Sequence, residues 1–238
     1  MNGIIYSGVR ELRLLVSGSS GGIGQAFCSL AKTHPDWELL PLSRNPRSTQ
    51  IRFDALWPLE QIEAAVHSLD PLDGLLCLHG ADILSPPLRH ASYLQRLNAL
   101  YETDLAGSIK LVKSVLPLLR PGGTIILMGW DRAALGAEGD AGEIYATVKG
   151  AIAALGKSLA ASLIDRATVY VVAPGWVQTR WGDSLSEAAR SRIASRTRAG
   201  RWQTPLDVAR VLEALLAFPA GISTGQVIYV NRGDVTPS

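Results

Sequence analysis

Tyr145 and Lys149 stand four residues apart in the stretch "EIYATVK". On a helix that spacing puts both side chains on one face, about one turn apart. A phenol ordinarily ionises near pH 10, and a neighbouring ammonium favours the phenolate, lowering that value toward working pH. The pair therefore predicts a group that hands a proton to, or takes one from, a substrate oxygen. The alternative is a chance pair on a wet helical surface. Between Met128 and Lys149 the only hydroxyls are those of Tyr145 and Thr147, and Thr147 lies inside the pair. A second donor to the same oxygen would have to be something else. Trp130 offers one indole N–H, or it simply packs. Asp131 could donate only when protonated and is expected to bind elsewhere.

The elements that must position this pair alternate along the chain. "LRLLVS" (Leu12–Ser17) reads as a buried strand and is followed by a helix from about Gly22 to Lys32. "WELLPLS" and "QIRFD" read as strands, "LEQIEAAVHSL" as an amphipathic helix and "GLLCLHG" as a strand. A long helical region runs from Ser92 to Leu119, broken near Pro117, before the strand "GTIILMG". Glu143 to Leu163 is helical, "TVYVVAPG" a strand, Pro205 to Phe218 a helix and "GQVIYVN" the last strand. Apolar strands separated by helices predict βαβ units and a parallel sheet buried on both faces. The expected fold is α/β, a Rossmann-type doubly wound parallel sheet of about seven strands in three αβα layers. No repeat or linker divides it, so residues 1–238 are expected to form a single domain.

"SGSSGGIG" runs from Ser17 to Gly24, between the first strand and the first helix. Gly18 suits the turn, Gly22 a close approach of backbone to a pyrophosphate, and Gly24 close helix–sheet packing. Ser17, Ser20 and Ile23 belong to the same loop. The helix start offers free N–H groups and the positive end of its dipole to phosphate. An ordinary glycine-rich loop is the alternative. The second strand ends on Ser43 and Arg44 rather than on a carboxylate. A carboxylate would repel a 2′-phosphate, whereas a guanidinium receives one, so NADP(H) is preferred over NAD(H) unless Arg44 is only a solvated loop residue. Asp54 could accept from an adenine amine or serve as a turn residue. His79 and Gly80 close the fourth strand, where ligands bind in this architecture; His79 could equally be a structural histidine.

Taken together, Gly18, Gly22 and Gly24, the Tyr145/Lys149 pair, and Pro174 and Gly175 after the sixth strand resemble the short-chain dehydrogenase/reductase family over nearly the whole chain. That resemblance implies the strand order 3-2-1-4-5-6-7 and a nicotinamide cofactor. It also implies that Lys149 binds the nicotinamide ribose and that Val177 and Thr179 touch the carboxamide. The reaction implied interconverts a ketone and a secondary alcohol, with a 3-oxoacyl-type substrate as one form. Three positions depart from the family. Its Asn-Asn-Ala-Gly is here "CLHG" (Cys77 to Gly80), its central-helix asparagine corresponds to Asp104, and its catalytic serine is replaced by Trp130 and Asp131. The segment from there to Tyr145 is about two residues longer than the family's. Asp104, if buried beside Lys149, would hold the ammonium and raise that lysine's pKa. Losing the serine donor costs about 10²–10³ in rate, which an enzyme can survive. The rival reading is a nucleotide-binding regulatory or assembly protein that keeps the fold.

Residues from about 176 to 204 read as a lid. They carry Arg180, Arg190, Arg192, Arg196, Arg198 and Arg201 against Asp183 and Glu187. The arginines suit an anionic acyl carrier or form a solvated helical face. Trp176, Trp181 and Trp202 could line an acyl pocket or anchor the lid. The Ala/Gly-rich helix around Lys149 permits close packing, and in the family it helps form a homodimer or homotetramer.

Composition narrows the remaining classes. A hydrophobic content of 47% supports a sizeable core, and a formal charge of +2 falls far short of a nucleic-acid footprint. Cys28 and Cys77 fit neither a disulfide framework nor a metal pattern. No stretch approaches the roughly 20 apolar residues of a membrane span. A cytoplasmic protein acting on a small-molecule carbonyl or alcohol, with no metal, is the expectation.

Overall fold

The computed structural model describes residues 11–46, 50–179, 182, 185–195, 197–217 and 224–234. Its centre is one sheet of seven strands in the order β3-β2-β1-β4-β5-β6-β7, with every neighbouring pair parallel. In chain order these are β1 (Leu12–Ser17), β2 (Trp37–Ser43), β3 (Ile51–Arg52), β4 (Leu72–Cys77), β5 (Leu119–Met128), β6 (Ala167–Pro174) and β7 (Gln226–Val230). The main helices are α1 (Gly22–Ala31), α2 (Leu59–Val66), α3 (Tyr93–Leu100), α4 (Gly107–Val115), α5 (Gly139–Ser162), α6 (Glu187–Ala194) and α7 (Pro205–Ala217).

Side-chain alternation along the strands separates two cores, one on each face of the sheet. Leu14 and Val16 of β1, Leu76 of β4 and Ile126 of β5 pack with Phe27 of α1 and Val208, Leu212 and Leu216 of α7. Their neighbours Leu15, Leu75, Ile125 and Leu127 face the other way. There they meet Ile62 of α2, Leu111 and Val115 of α4, and Ile152 and Leu159 of α5. Both faces are therefore covered, as an all-parallel sheet requires. The chain leaves β1 toward β2 on one side and reaches β4 on the other, which opens a crevice at the carboxyl ends of β1 and β4.

Three boundaries differ from the sequence reading. β5 begins at Leu119, since Leu119 pairs with Leu72, although residues 120 to 122 are exposed. α5 begins at Gly139 rather than Glu143. The long helix is interrupted between α3 and α4 by a π-helical stretch, Tyr101–Ala106, and ends at Val115. A widened turn of this kind often marks a functional site, and Asp104 lies in it. No helix among the described residues is long and apolar enough to cross a membrane.

Candidate active site

A cleft of about 980 Å³ opens at the carboxyl ends of the strands. Its walls bring together Ile23 of the glycine loop, Trp130 after β5, Tyr145 and Lys149 of α5, and Pro174, Gly175, Val177 and Thr179 after β6. These positions span more than 150 residues of sequence, and the crevice of the doubly wound sheet is what gathers them.

The glycine loop has the shape an anion needs. Gly18 has φ +69°, and a Cβ there would lie 2.5 Å from the backbone of Leu78 and His79. A Cβ on Gly24 would lie 2.2 Å from the Gly18 carbonyl oxygen. At Gly22 the added carbon would meet Thr179 Cγ2 at 3.2 Å, which places Thr179 over the loop. No side chain caps the start of α1 and no acid lies in its first turn, so its N–H groups are left for a ligand. Ser20 is exposed. Ser17 points inward, its Oγ donating to the Leu76 carbonyl and 2.6 Å from His79 Nδ1. At the tip of β2, Ser43 is buried and accepts from the Asn45 N–H, while Arg44 is exposed. Asp54 accepts from the Leu56 N–H within its own turn.

Lys149 is 6% exposed, and its Nζ lies 2.7 Å from Asp104 Oδ2 and 2.9 Å from the Met128 carbonyl oxygen. Asp104 is itself 2% exposed and accepts from the Ala81 N–H at 2.7 Å through its other oxygen. Gly80 makes this possible, since a Cβ there would sit 3.1 Å from Asp104 Oδ2. The ammonium is thus matched by a carboxylate, and the expected effect on Tyr145 reverses. Burial above all, then the negative charges of Asp104 and Asp82, push the phenol well above its ordinary value. Tyr145 is a phenol at neutral pH, not a phenolate in waiting.

His79 does not line the cleft. Its ring lies between Ser17 and Ser108 and edge-on to Phe53, with centroids 5.5 Å apart. Burial first, then the Lys149 charge, lowers its pKa to about 4, so it is neutral. Sequence reasoning passed over Ser108, which bridges His79 and the Asp104 carbonyl. A polar residue one helical turn after Asp104 was the only signal available.

A family model described as "Enoyl-(Acyl carrier protein) reductase" matches residues 60–234. The chain belongs to the short-chain dehydrogenase/reductase family. Membership makes it an oxidoreductase that interconverts C=O and CH–OH groups of a small-molecule substrate with a nicotinamide cofactor. It is 27% identical to the 3-oxoacyl-(acyl-carrier-protein) reductase of Vibrio cholerae, over 92% of this chain and 95% of that protein. It is 30% identical to the dehydrogenase OXI1 of Cochliobolus heterostrophus, over 92% and 94%. A short-chain dehydrogenase/reductase structure from Brucella melitensis superposes with a TM-score of 0.80 at 22% identity, covering 96% of this chain and 98% of that one. That last likeness concerns the fold alone.

Among short-chain dehydrogenase/reductases this site is altered where the sequence departs from the pattern. The Trp130 ring packs against Tyr145 with centroids 5.7 Å apart and planes at 56°. Its indole N–H donates to no acceptor among the described residues. Arg132 and Leu84 also line the cleft, although neither stood out in the sequence. After β6, Trp202 is 9% exposed and donates to the Arg190 carbonyl, so it anchors α6, whereas the neighbouring Trp176 lines the cleft. Arg192, Arg198 and Arg201 are exposed and Arg190 is half-buried. Arg180, Trp181, Asp183, Arg196 and Phe218 lie outside the described residues, as does the opening stretch, residues 1–10. No cluster of His, Cys, Asp and Glu fit for a metal occurs among the described residues.

Proposed function

We propose that this protein reduces the ketone of a 3-oxoacyl-type substrate to a secondary alcohol with NADP(H), in the cleft shared by Tyr145, Lys149 and Pro174–Thr179. The supporting observation is the convergence of the glycine loop, the Tyr/Lys pair and the Pro-Gly turn on one cavity. The dinucleotide, when bound, supplies the hydride. Gly18, Gly22 and Gly24 with the start of α1 hold its pyrophosphate, Ser43 and Arg44 its 2′-phosphate, and Asp54 its adenine amine through the carboxylate oxygen left over from the turn. Lys149 holds the ribose while anchored by Asp104, and Val177 and Thr179 hold the carboxamide.

Tyr145 donates its proton to the carbonyl oxygen as negative charge develops there. A phenol kept protonated by burial suits that direction of reaction, because alcohol oxidation would need the phenolate as base. Trp130 stands in the serine's place, its N–H without an acceptor among the described residues, and acts as the second donor. Trp130→Phe keeps an aromatic ring, though a smaller one, and removes the donor, so kcat should fall by about 10² with KM little changed. An unchanged kcat would reduce Trp130 to packing.

The cofactor preference has its own test. Arg44→Ala should weaken NADPH binding about tenfold, the order of one charge-assisted contact, and leave NADH unaffected. Equal losses for both would remove Arg44 from the phosphate site. Residues 1–238 act as one domain with the lid at about 176–204, and the lid arginines receive an anionic acyl carrier like that named in the bacterial relatives. Dimers or tetramers form through α4 and α5.

A further inference from the structure

Asp131 follows Trp130 and is 2% exposed. Its backbone N–H donates to the Pro174 carbonyl at 3.1 Å, and Gly175 donates to the Val230 carbonyl at 3.1 Å. Its carboxylate accepts from Asn231 Nδ2 at 3.2 Å, and Asn231 Oδ1 in turn accepts from the Gly233 N–H at 3.0 Å. A Cβ on Gly175 would lie 2.9 Å from Asp131 Oδ2 and 3.2 Å from Asn231 Cβ. The Pro174–Gly175 turn is thus wedged between two buried polar side chains, and its cleft-facing backbone has a carboxylate directly behind it.

A carboxylate in this position is expensive. No cation lies within ion-pair distance of it among the described residues. Burial, the largest influence, pushes its pKa up to about 6. The Asn231 hydrogen bond, the Arg132 charge and the Arg132 N–H oppose that rise, and the Asp234 charge adds to it. Packing the turn would need only a neutral residue of the same shape, since a buried charge with no cation paired to it costs several kcal/mol. The neighbouring group whose charge changes in the reaction is the pyridine ring: cationic when oxidised, neutral when reduced.

We infer that Asp131 is a positioning residue that backs the Pro174–Gly175 turn with a buried negative charge and thereby favours the oxidised, cationic dinucleotide over the reduced one. This rests on the reading that the turn receives the nicotinamide. The charge balance is simple. With Asp131 ionised the pyridinium gains a counter-ion, and with Asp131 protonated both cofactor forms meet a neutral wall. Arg132 and Asp234 are the charged groups facing it, and His79 titrates below the relevant range.

The test is equilibrium binding of NADP⁺ and NADPH to the full chain, followed by quenching of tryptophan fluorescence between pH 5 and 8. The ratio Kd(NADP⁺)/Kd(NADPH) is the readout, because titration of the 2′-phosphate affects both forms alike and cancels. In the native protein this ratio should rise roughly fivefold or more as the pH falls from 8 to 5, the order of one charge sensed through protein. In Asp131→Asn it should hold the low-pH value throughout. A pH-independent ratio in the native protein overturns the inference, whether or not the variant folds. An equal weakening of both forms in Asp131→Asn also overturns it, leaving the carboxylate only a structural part. Failure of either dinucleotide to bind the native protein would instead sink the cofactor assignment itself.

Discussion

Tyr145→Phe is expected to lower kcat for ketone reduction by about 10³–10⁴, near the top of what one general acid contributes. The affinity for NADPH should change by less than about twofold. The substitution removes one oxygen from the cleft wall and leaves the ring packed against Trp130, so the dinucleotide keeps its contacts. The unmodified enzyme should also show a distinctive pH profile. Because burial and the Asp104 and Asp82 charges hold the phenol well above its ordinary value near 10, the donor stays protonated through that region. The value of kcat/KM for reduction should therefore stay level from neutral pH to about 10, where an unperturbed phenol would have begun to lose activity. Steady-state rates with a panel of 3-oxo substrates test both statements. Full activity in the phenylalanine variant would remove Tyr145 from the chemistry. Tight NADPH binding with no turnover of any carbonyl compound would favour a regulatory protein that keeps the fold.

What could be read in the sequence was whatever is local or periodic. The glycine loop lies within eight residues and Tyr145 and Lys149 within one helical turn, so spacing alone was enough to place them. The sheet order needed the family resemblance, and the observed strand pairing agrees with it at every strand. The start of β5 was hidden because Pro121, Gly122 and Gly123 oppose strand assignment, while Leu119 owes its strand position to its pairing with Leu72 across the sheet. The π-helical turn at Tyr101–Ala106 has no hydrophobic period of its own and reads as helix. The charge state of Tyr145 was misjudged for a physical reason. Lys149 is only four residues from Tyr145, but the carboxylate that matches it comes from Asp104, 45 positions earlier and on another helix. The Asp131–Asn231 contact joins positions 100 residues apart, and neither residue type nor spacing announces it.

Asp104 is where stability and chemistry meet. Asp104→Ala should destabilise the protein by about 3–5 kcal/mol, because it strands a buried ammonium that the carboxylate matches. It also leaves the Ala81 N–H without the acceptor it has at 2.7 Å. For a chain of this size that loss corresponds to a fall in Tm of about 6–20 °C, measurable by calorimetry. Asp104→Asn separates the two effects. The amide oxygen can replace one carboxylate oxygen, keeping either the Ala81 or the Lys149 contact but not both, so part of the stability should survive. The larger of the two negative charges that disfavour phenolate is gone, which leaves Asp82 alone against the positive charge of Lys149. The alkaline fall in kcat/KM for reduction should then move to lower pH, and alcohol oxidation, which needs the phenolate, should gain relative to reduction. If the asparagine variant leaves the alkaline limb in place while melting as early as the alanine variant, Asp104 is a structural partner of Lys149 and has no hold on the proton of Tyr145.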